Sequence, residues 1–194
     1  RRPWATLSDH APLAGEVRLR GRSTTAPMHA RCRDGLGFLT EERSVIRGLT
    51  ARENLRLADV APEVAVDLFP ELGPLLPRTA GLLSGGEQQM LSLARALGRR
   101  PDVLLADELS LGLAPMVVER LLTSVRQAAD ERGVAVLIVE QHVRQALSVA
   151  DRVYVMERGW VSLSGAVAHV RAKIEQIEVA YLSAAAPAAG QEDT

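Results

Sequence analysis

Apolar residues recur at helical spacing in two long segments of the chain. The first segment predicts a helix over 86–98, which Pro101 ends, with an apolar face formed by Met90, Leu93, Ala94 and Leu97. The second predicts a helix over 115–131 with Pro115 in its first turn and an inner face of Val118, Leu121, Leu122 and Val125. Each helix therefore has one face that requires a packing partner.

Short apolar runs lie between and around these helices. "DVLLAD" (102–107) and "GVAVLIVE" (133–140) are almost entirely apolar, which predicts strands buried on both faces of a parallel sheet. "GLGFLT" (35–40) predicts another strand, and the alternation in "GEVRLRGR" (15–22) predicts a half-exposed one. Alternating strands and helices indicate an α/β fold with a largely parallel sheet.

The rest of the chain is expected to be helical, hairpin or irregular. Residues 142–150 and about 166–182 predict helices, and 151–165 predicts two strands joined at Arg158 and Gly159. Thr50 and Glu53 predict a capping box, and the prolines that follow indicate short helices in a subdomain near 50–83. We expect one domain over 14–183, a poorly determined segment 1–13 and a disordered tail 184–194.

The amino-acid composition argues against nucleic-acid-binding and membrane-spanning proteins. The chain has 194 residues, a net charge of −1 and only 3 % aromatic residues, so no basic surface for nucleic acid is expected. The single cysteine, Cys32, fits a reducing compartment. No apolar run approaches the roughly 20 residues that span a bilayer, so direct membrane insertion is not expected.

The stretch "LLSGGEQQ" (82–89) predicts an anion site at a helix start. Ser84 stands at the N-cap position, and Gly85 and Gly86 allow backbone N–H groups to approach an anion closely. The helix N-terminus adds unpaired donors and the positive end of its dipole, which suits a γ-phosphate. The plain alternative is a capped helix after a glycine-rich loop.

The stretch "VLLADE" (103–108) delivers two carboxylates to the carboxyl end of a predicted strand, where ligands bind in open α/β sheets. Asp107 is suited to hold Mg²⁺, and Glu108 is suited to polarise an attacking water. The plain alternative is a solvated acidic pair at a strand end.

Together these motifs resemble the ATP-binding subunits of ATP-binding cassette (ABC) transporters. "LSGGEQQ" resembles the ABC signature, "VLLADE" resembles Walker B, and "LSLGLAP" (109–115) resembles the D-loop region. "SLGLAP" and "VEQHVRQALSVADRVYV" are similar to the subunits of branched-chain amino-acid importers, although importers of urea or another amide share "SLGLAP". The resemblance covers about 14–183 and implies a P-loop NTPase fold, ATP and Mg²⁺ as ligands, and ATP hydrolysis.

The resemblance also implies roles for single residues and for partners. Ser84, Gly85, Gly86 and Glu87 would contact ATP held on an opposing, head-to-tail subunit, while Asp107 and Glu108 would serve this subunit's own site. Glu41 falls at the Q-loop position, Gln141 falls at the switch position, and His142 is a weaker candidate beside it. The implied partners are a second ATP-binding subunit and transmembrane permease subunits, at the inner face of the bacterial plasma membrane.

One expected motif is missing from the sequence. The P-loop G-x-x-x-x-G-K-[ST] does not occur, and the single lysine, Lys173, has no glycine beside it. "GEVRLRGRST" (15–24) has five residues between its glycines and an arginine in place of lysine, so it is rejected. We therefore expect a chain that starts after the P-loop, either as a fragment or as a shortened subunit. A shortened subunit would be a non-catalytic module that supplies only the signature loop. Leu109, where the family usually has proline, is expected to loosen the turn after Glu108.

Overall fold

The computed structural model describes residues 17–40, 42, 44–157 and 159–174. They divide into two compact units, one formed by 24–142 and the other by 17–23 together with 143–174. In chain order the helices and strands are β1 (Arg18–Leu19), β2 (Arg22–Ser23), α1 (Met28–Arg33), β3 (Leu36–Leu39), α2 (Ala51–Leu57), α3 (Pro62–Leu68), α4 (Gly85–Gly98), β4 (Val103–Asp107), α5 (Pro115–Arg132), β5 (Ala135–Val139), α6 (Val143–Val149), β6 (Arg152–Glu157) and β7 (Trp160–Ala166). Two 3₁₀ helices, Pro70–Leu75 and Ala80–Leu82, lie between α3 and α4.

A parallel sheet organises the larger unit. Its described strands have the order β3-β4-β5, with Leu39 opposite Ala106 and Asp107 opposite Val139. The chain returns from β4 to β5 through α5, as expected for a β–α–β connection. This arrangement confirms the α/β prediction, and it brings the carboxyl ends of β4 and β5 to one edge of the sheet.

The expectation that β4 and β5 are buried on both faces is wrong. On β4 only alternate residues, Leu104 and Ala106, are fully buried. On β5, Leu137 is 53 % exposed and Val139 is 56 % exposed. The physical reason is that the described helices of the larger unit cover mainly one face of the sheet. Phe38, Leu105 and Leu137 are register partners on the other face, where Phe38 and Leu137 are exposed.

The two long helices follow the predicted periodicity closely. All four residues of the predicted apolar face are buried in α4, and all four are buried in α5. Pro115 is the first residue of α5, and Gly133 ends that helix in the left-handed conformation with φ of +68°. These faces form much of the core of the larger unit.

Short helices follow β3, as the prolines predicted. The capping box at α2 is present, since Thr50 N donates to Glu53 Oε2 at 2.8 Å and Glu53 N donates to Thr50 Oγ1 at 3.1 Å. The fully buried Asn54 side chain accepts from Ile46 N at 2.8 Å and donates to Ile46 O at 3.0 Å. Asn54 therefore fixes the loop that enters α2.

The smaller unit contains two antiparallel pairs. β6 and β7 pair with Glu157 opposite Trp160, which confirms the predicted hairpin; Arg158 at its turn lies outside the described residues. Buried Leu147, Val167 and Ile174 form a core, and residues 167–174 are helical. Among the described residues, no helix is long and apolar enough to cross a membrane.

The strand predicted for 15–22 is replaced by a hairpin within its described part. β1 and β2 are two residues each and pair antiparallel. The residues between them, Arg20 and Gly21, have φ of +53° and +75°, which matches the tight turn that favours glycine at its second position. The prediction of a single strand is therefore wrong, because the turn at Arg20 and Gly21 interrupts the extended backbone.

Candidate nucleotide site

Four predicted residues meet where β4 and β5 end. Asp107 is the last residue of β4 and Glu108 follows it, while Gln141 and His142 follow β5. The backbone N–H of Glu108 donates to Val139 O at 2.9 Å, and the side-chain amide of Gln141 donates to Glu108 Oε1. The pairing of parallel strands thus places the carboxylate of Glu108 against the residue that the sequence assigned to the switch position.

The backbone at Glu108 is unusual. Its φ of +48° lies in the left-handed region, which residues with a side chain adopt at a cost of about 1 kcal/mol or more. Such backbone strain persists only where surrounding contacts enforce it, and here the bonds to Val139 and Gln141 do so. Strained positions of this kind concentrate at functional sites.

A second set of bonds ties the same two loops together. Ser110 N donates to Glu140 Oε1 at 2.9 Å, and Ser110 Oγ donates to Glu140 Oε2 at 2.7 Å. His142 Nδ1 lies 3.1 Å from the same hydroxyl oxygen. The sequence reasoning did not single out Ser110 or Glu140, although each lies in a stretch that carried the resemblance.

The segment Ser84–Glu87 forms a separate group at the start of α4. Ser84 Oγ accepts from Glu87 N at 3.3 Å, and Ser84 N donates to Glu87 Oε2 at 2.7 Å, so Ser84 is the N-cap as predicted. In this arrangement the hydroxyl of Ser84 serves as an acceptor, and its proton can still be donated to an anion. One carboxylate oxygen of Glu87, in contrast, is already bonded to the backbone.

The glycine at position 86 is explained by close packing. A Cβ there would lie 2.8 Å from Val117 Cγ1 and 3.2 Å from Val117 Cγ2. Gly86 therefore lets the first turn of α4 approach α5 closely, in addition to any contact with a ligand.

Gln88 anchors the loop that precedes the helix. It is buried, and its side-chain amide donates to Ala80 O at 3.1 Å and to Leu83 O at 3.0 Å. These bonds fix the chain just before Ser84. Gln88 lies within the signature motif, but its anchoring role was not predictable, since a polar residue at a helix start gives no sign of burial.

The carboxylates can be tested against a magnesium ion. Asp107 is exposed at the strand end with Glu108 next to it, and no group of three metal-ligating side chains occurs among the described residues. Mg²⁺ usually takes one or two protein carboxylates and keeps waters and phosphate oxygens as its other ligands. The donor set at Asp107 therefore fits Mg²⁺ bound with a nucleotide, and it does not fit a closed all-protein cage.

Two further sequence-based predictions concern Glu41 and the stretch 15–24. Glu41 lies outside the described residues, so its role stays a prediction. The near match to a P-loop over 15–24 contains the β1–β2 hairpin, so its described part does not form a loop leading into a helix.

The sequence also matches a known protein family. The model of a family described as "ABC transporter" matches residues 5–110, more than half of the chain. The chain belongs to the ABC transporter family. It is an ATP-binding domain of this family, and such domains are ATPases. The membership agrees with the resemblance of its motifs to the signature and to Walker B.

Several curated relatives share the ABC domain. A probable branched-chain amino-acid transport ATP-binding protein, LivF of Archaeoglobus fulgidus, is 36 % identical over 162 residues, covering 78 % of this chain and 69 % of LivF. BraG of Pseudomonas aeruginosa, a high-affinity branched-chain amino-acid transport ATP-binding protein, is 38 % identical over 156 residues, covering 75 % and 66 %. The lipopolysaccharide export system ATP-binding protein LptB of Acidithiobacillus ferridurans is 36 % identical over 168 residues, covering 79 % and 68 %. The chain thus spans about two thirds of the length of these relatives.

Solved structures share the fold. The ATP-binding cassette MJ0796, solved as a dimer in a post-hydrolysis state with ADP and Pi, superposes with a TM-score of 0.70 at 23 % identity, covering 81 % of this chain and 75 % of that one. The ADP conformation of the cassette MJ1267 also gives a TM-score of 0.70 at 23 % identity, covering 87 % and 77 %. At this identity the likeness establishes the ABC cassette fold alone.

Proposed function

We propose that this chain acts as the ATP-hydrolysing subunit of an ABC transporter. The observation that carries the proposal is the placement of Glu108, which follows Asp107 at the strand end and accepts a hydrogen bond from Gln141. A carboxylate held in this way is suited to orient a water, and its neighbour is suited to a metal that accompanies a nucleotide.

The proposed roles follow from the positions of the side chains. Glu108 orients the attacking water, and Gln141 fixes the direction of the Glu108 carboxylate by donating to Oε1. Asp107 would hold Mg²⁺, which when bound offsets charge on the phosphates of ATP. Glu41 and His142 are proposed as supporting residues near the nucleotide.

The signature segment is proposed to act on ATP bound by an opposing subunit. The N-terminus of α4 offers backbone donors, and the Ser84 hydroxyl proton is available for an anion. MJ0796 was solved as a dimer, which supports a paired arrangement. In this pairing the signature segment completes the nucleotide site of the partner subunit through Ser84, Gly85, Gly86 and Glu87. Asp107 belongs to the site of this subunit.

The proposed cargo is a branched-chain amino acid, on the support of the LivF and BraG similarity. The comparable identity to LptB makes lipopolysaccharide the competing cargo. Cargo enters through other subunits, so the test is to purify the native complex from the source cell and reconstitute it in vesicles. Stimulation of ATP turnover by leucine with its binding protein supports the proposal, whereas stimulation by lipopolysaccharide alone overturns it.

We propose that a cleft of the larger unit docks a membrane-embedded partner. About 260 Å³ of space lies between α1, β3, α2 and α4, with Arg33, Arg95 and Arg99 in its lining and exposed Leu57 beside them. Burial lowers the pKa of Arg95, whose guanidinium donates to Ser44 O. An acidic segment of a permease subunit fits this lining, which would place the chain at the inner face of the plasma membrane. Arg99→Glu should weaken co-purification with the permease at least severalfold, while the exposed Arg132→Glu control should not.

A second candidate function rests on the signature segment. Ser84 caps α4, and its hydroxyl proton remains available for an anion. In this second function the chain supplies the signature segment to the ATP site of a catalytic subunit and does not turn over ATP itself. Mixing experiments distinguish the two, because the module turns over no ATP alone yet stimulates the ATP turnover of its partner.

The principal test is Glu108→Gln in the protein as the cell makes it, purified with its partner subunits. Steady-state ATP turnover should fall about 100-fold or more, since the water loses its orienting carboxylate, while ATP affinity should stay within about threefold. Glu119→Gln, on the exposed surface of α5, is the matched control. Unchanged turnover in Glu108→Gln would rule out the proposed role.

A further inference from the structure

The loops that follow β4 and β5 are joined by several hydrogen bonds, and those of Ser110 do not involve Glu108. The loop after β4 begins at Glu108, and the loop after β5 begins at Glu140. Glu108 bonds forward to Val139 and Gln141, whereas Ser110 bonds to Glu140 with both its N–H and its hydroxyl. Both loops are therefore braced at two successive points.

The hydrogen bonds between Ser110 and Glu140 are largely shielded from solvent. Ser110 is 5 % exposed, and Glu140 is half-buried. A carboxylate that accepts two hydrogen bonds from one residue, at 2.9 Å and 2.7 Å, holds that residue in position as well as in orientation. Because the Ser110 hydroxyl has one proton and gives it to Glu140, the nitrogen Nδ1 of His142 is assigned as the donor to Ser110 Oγ.

We propose that Glu140 is a positioning residue for ATP hydrolysis, holding the turn 108–110 through Ser110 so that the carboxylate of Glu108 keeps its direction. The inference rests on the proposed function of Glu108. Glu140 follows β5, and each of its carboxylate oxygens accepts a hydrogen bond from Ser110. It therefore acts on the reaction only through the loop that it holds.

Left-handed backbone at Glu108 explains why such a brace is needed. With φ of +48°, Glu108 has a lower-energy alternative in which its side chain points elsewhere. The Glu140–Ser110 bonds lie two residues further along and oppose that relaxation. A displacement of about 1 Å in a reacting group can lower a rate about 100-fold, so a modest relaxation would be visible in turnover.

The test uses Glu140→Ala and Glu140→Gln in the native protein with its partner subunits. Glu140→Ala loses both acceptors and should lower kcat about tenfold or more, with the KM for ATP within about threefold. Glu140→Gln keeps one oxygen for Ser110 N–H and an amide that can donate to Ser110 Oγ, so it should recover most of kcat. A role in folding alone would not produce this split between kcat and KM.

A double variant shows whether Glu140 acts through Glu108. In the Glu108→Gln background, Glu140→Ala should reduce turnover by less than about twofold further, because the residue it positions is already inactive. A full multiplicative loss would show that Glu140 acts elsewhere and would overturn the inference. Unchanged kcat in Glu140→Ala would also overturn it.

Amide hydrogen exchange provides a readout that does not depend on turnover. Exchange at Ser110 should rise about tenfold or more in Glu140→Ala and should stay near the wild-type rate in Glu140→Gln. If Glu108→Gln retains full turnover, the proposed function fails regardless of Glu140. If Glu108→Gln is inactive and Glu140→Ala is fully active, the inference about Glu140 alone fails.

Discussion

Glu108 donates its backbone N–H to the carbonyl oxygen of Val139 at 2.9 Å while its own φ is +48°. The bond joins the end of β4 to the end of β5, so the strain in one loop is held by the neighbouring strand. Gln141, two residues after Val139, then donates to the Glu108 carboxylate. The position of the proposed water-orienting group thus depends on β5 as much as on its own strand.

Glycine at position 108 should relieve this strain. Glycine enters the left-handed region without steric cost, so Glu108→Gly should be more stable than Glu108→Ala by about 1 kcal/mol in the free energy of unfolding. The comparison of these two variants removes the effect of losing the carboxylate, which they share. Equal denaturation midpoints would show that residue 108 is not strained in solution.

A side chain at position 86 should destabilise the fold. The new Cβ of Gly86→Ala would lie 2.8 Å from Val117 Cγ1, and valine has few rotamers with which to move away. The expected loss is about 1–3 kcal/mol, although alanine is the better helix former by about 1 kcal/mol.

The clash predicts a specific rescue for position 86. In the Val117→Ala background, Gly86→Ala should be neutral or stabilising, because the conflicting methyl groups are absent. Thermal unfolding of the four proteins of this cycle measures the coupling. A loss from Gly86→Ala that is the same in both backgrounds would contradict the close approach of α4 and α5.

Acid should remove the contribution of the α2 capping box. Hydrogen bonds from the backbone and side chain of Thr50 lower the pKa of Glu53 below its ordinary value of 4.5. A lowered folded-state pKa means that the stabilisation is complete above pH 4.5 and is lost as the pH falls through the folded-state value. The stability difference between wild type and Glu53→Gln should therefore depend on pH only below about 4.5 and shrink or reverse there.

A first-turn carboxylate without a cap provides the control for Glu53. Glu63 lies in the first turn of α3, whose N-cap residue makes no side-chain cap bond. Urea midpoints measured from pH 7 to pH 3 should differ between the Glu53→Gln and Glu63→Gln variants most at neutral pH and should converge on the acid side. A difference between Glu53→Gln and wild type that is constant over this range would contradict the prediction.

Arg120 should contribute more than an ordinary surface arginine. It donates to Glu71 Oε1 at 3.1 Å and to Leu68 O at 3.1 Å, and its guanidinium lies 5.4 Å from the centre of the Phe69 ring. Burial alone would raise the pKa of Glu71, but a backbone hydrogen bond and the hydrogen bond and charge of Arg120 together lower it below its ordinary value. Arg120→Ala should cost about 1–2 kcal/mol, since it removes several contacts of α5 with the short helices.

Arg126→Ala is the matched control for Arg120. Arg126 pairs with Asp130 one turn away on the exposed side of α5, and such i,i+4 pairs contribute about 0.3–0.5 kcal/mol. Chemical denaturation should therefore show a larger loss in the free energy of unfolding for Arg120→Ala than for Arg126→Ala. Equal losses would show that the Arg120 contacts do not persist in solution.

The parts of the fold that the sequence predicted well are those with a clear period or a cap. The apolar faces of α4 and α5, the strand before Asp107, and the capping residues Thr50 and Ser84 all depend on local physics. Helix α1 was not predicted because it has only six residues and none of them is buried. No apolar period therefore marks it in the sequence.

The candidate site was predictable only in part. Parallel strands ending at one edge bring Glu108 and Gln141 together, and that follows from the pattern of strands and helices. The contact of Ser110 with Glu140 joins residues 30 positions apart and depends on the exact path of two loops. The exposure of Leu137 and Val139 likewise depends on which elements cover that face of the sheet, which composition does not specify.

The most direct test of the central claim is the chemical state of the nucleotide retained by the protein. Native protein with its partner subunits is incubated with ATP labelled at the α-phosphate and Mg²⁺, freed of unbound nucleotide and quenched in acid. Wild-type protein should retain mainly ADP, and Glu108→Gln should retain mainly ATP at a similar occupancy. Retained ADP in Glu108→Gln, at the wild-type proportion and rate, would contradict the assignment of Glu108 as the residue that orients the attacking water.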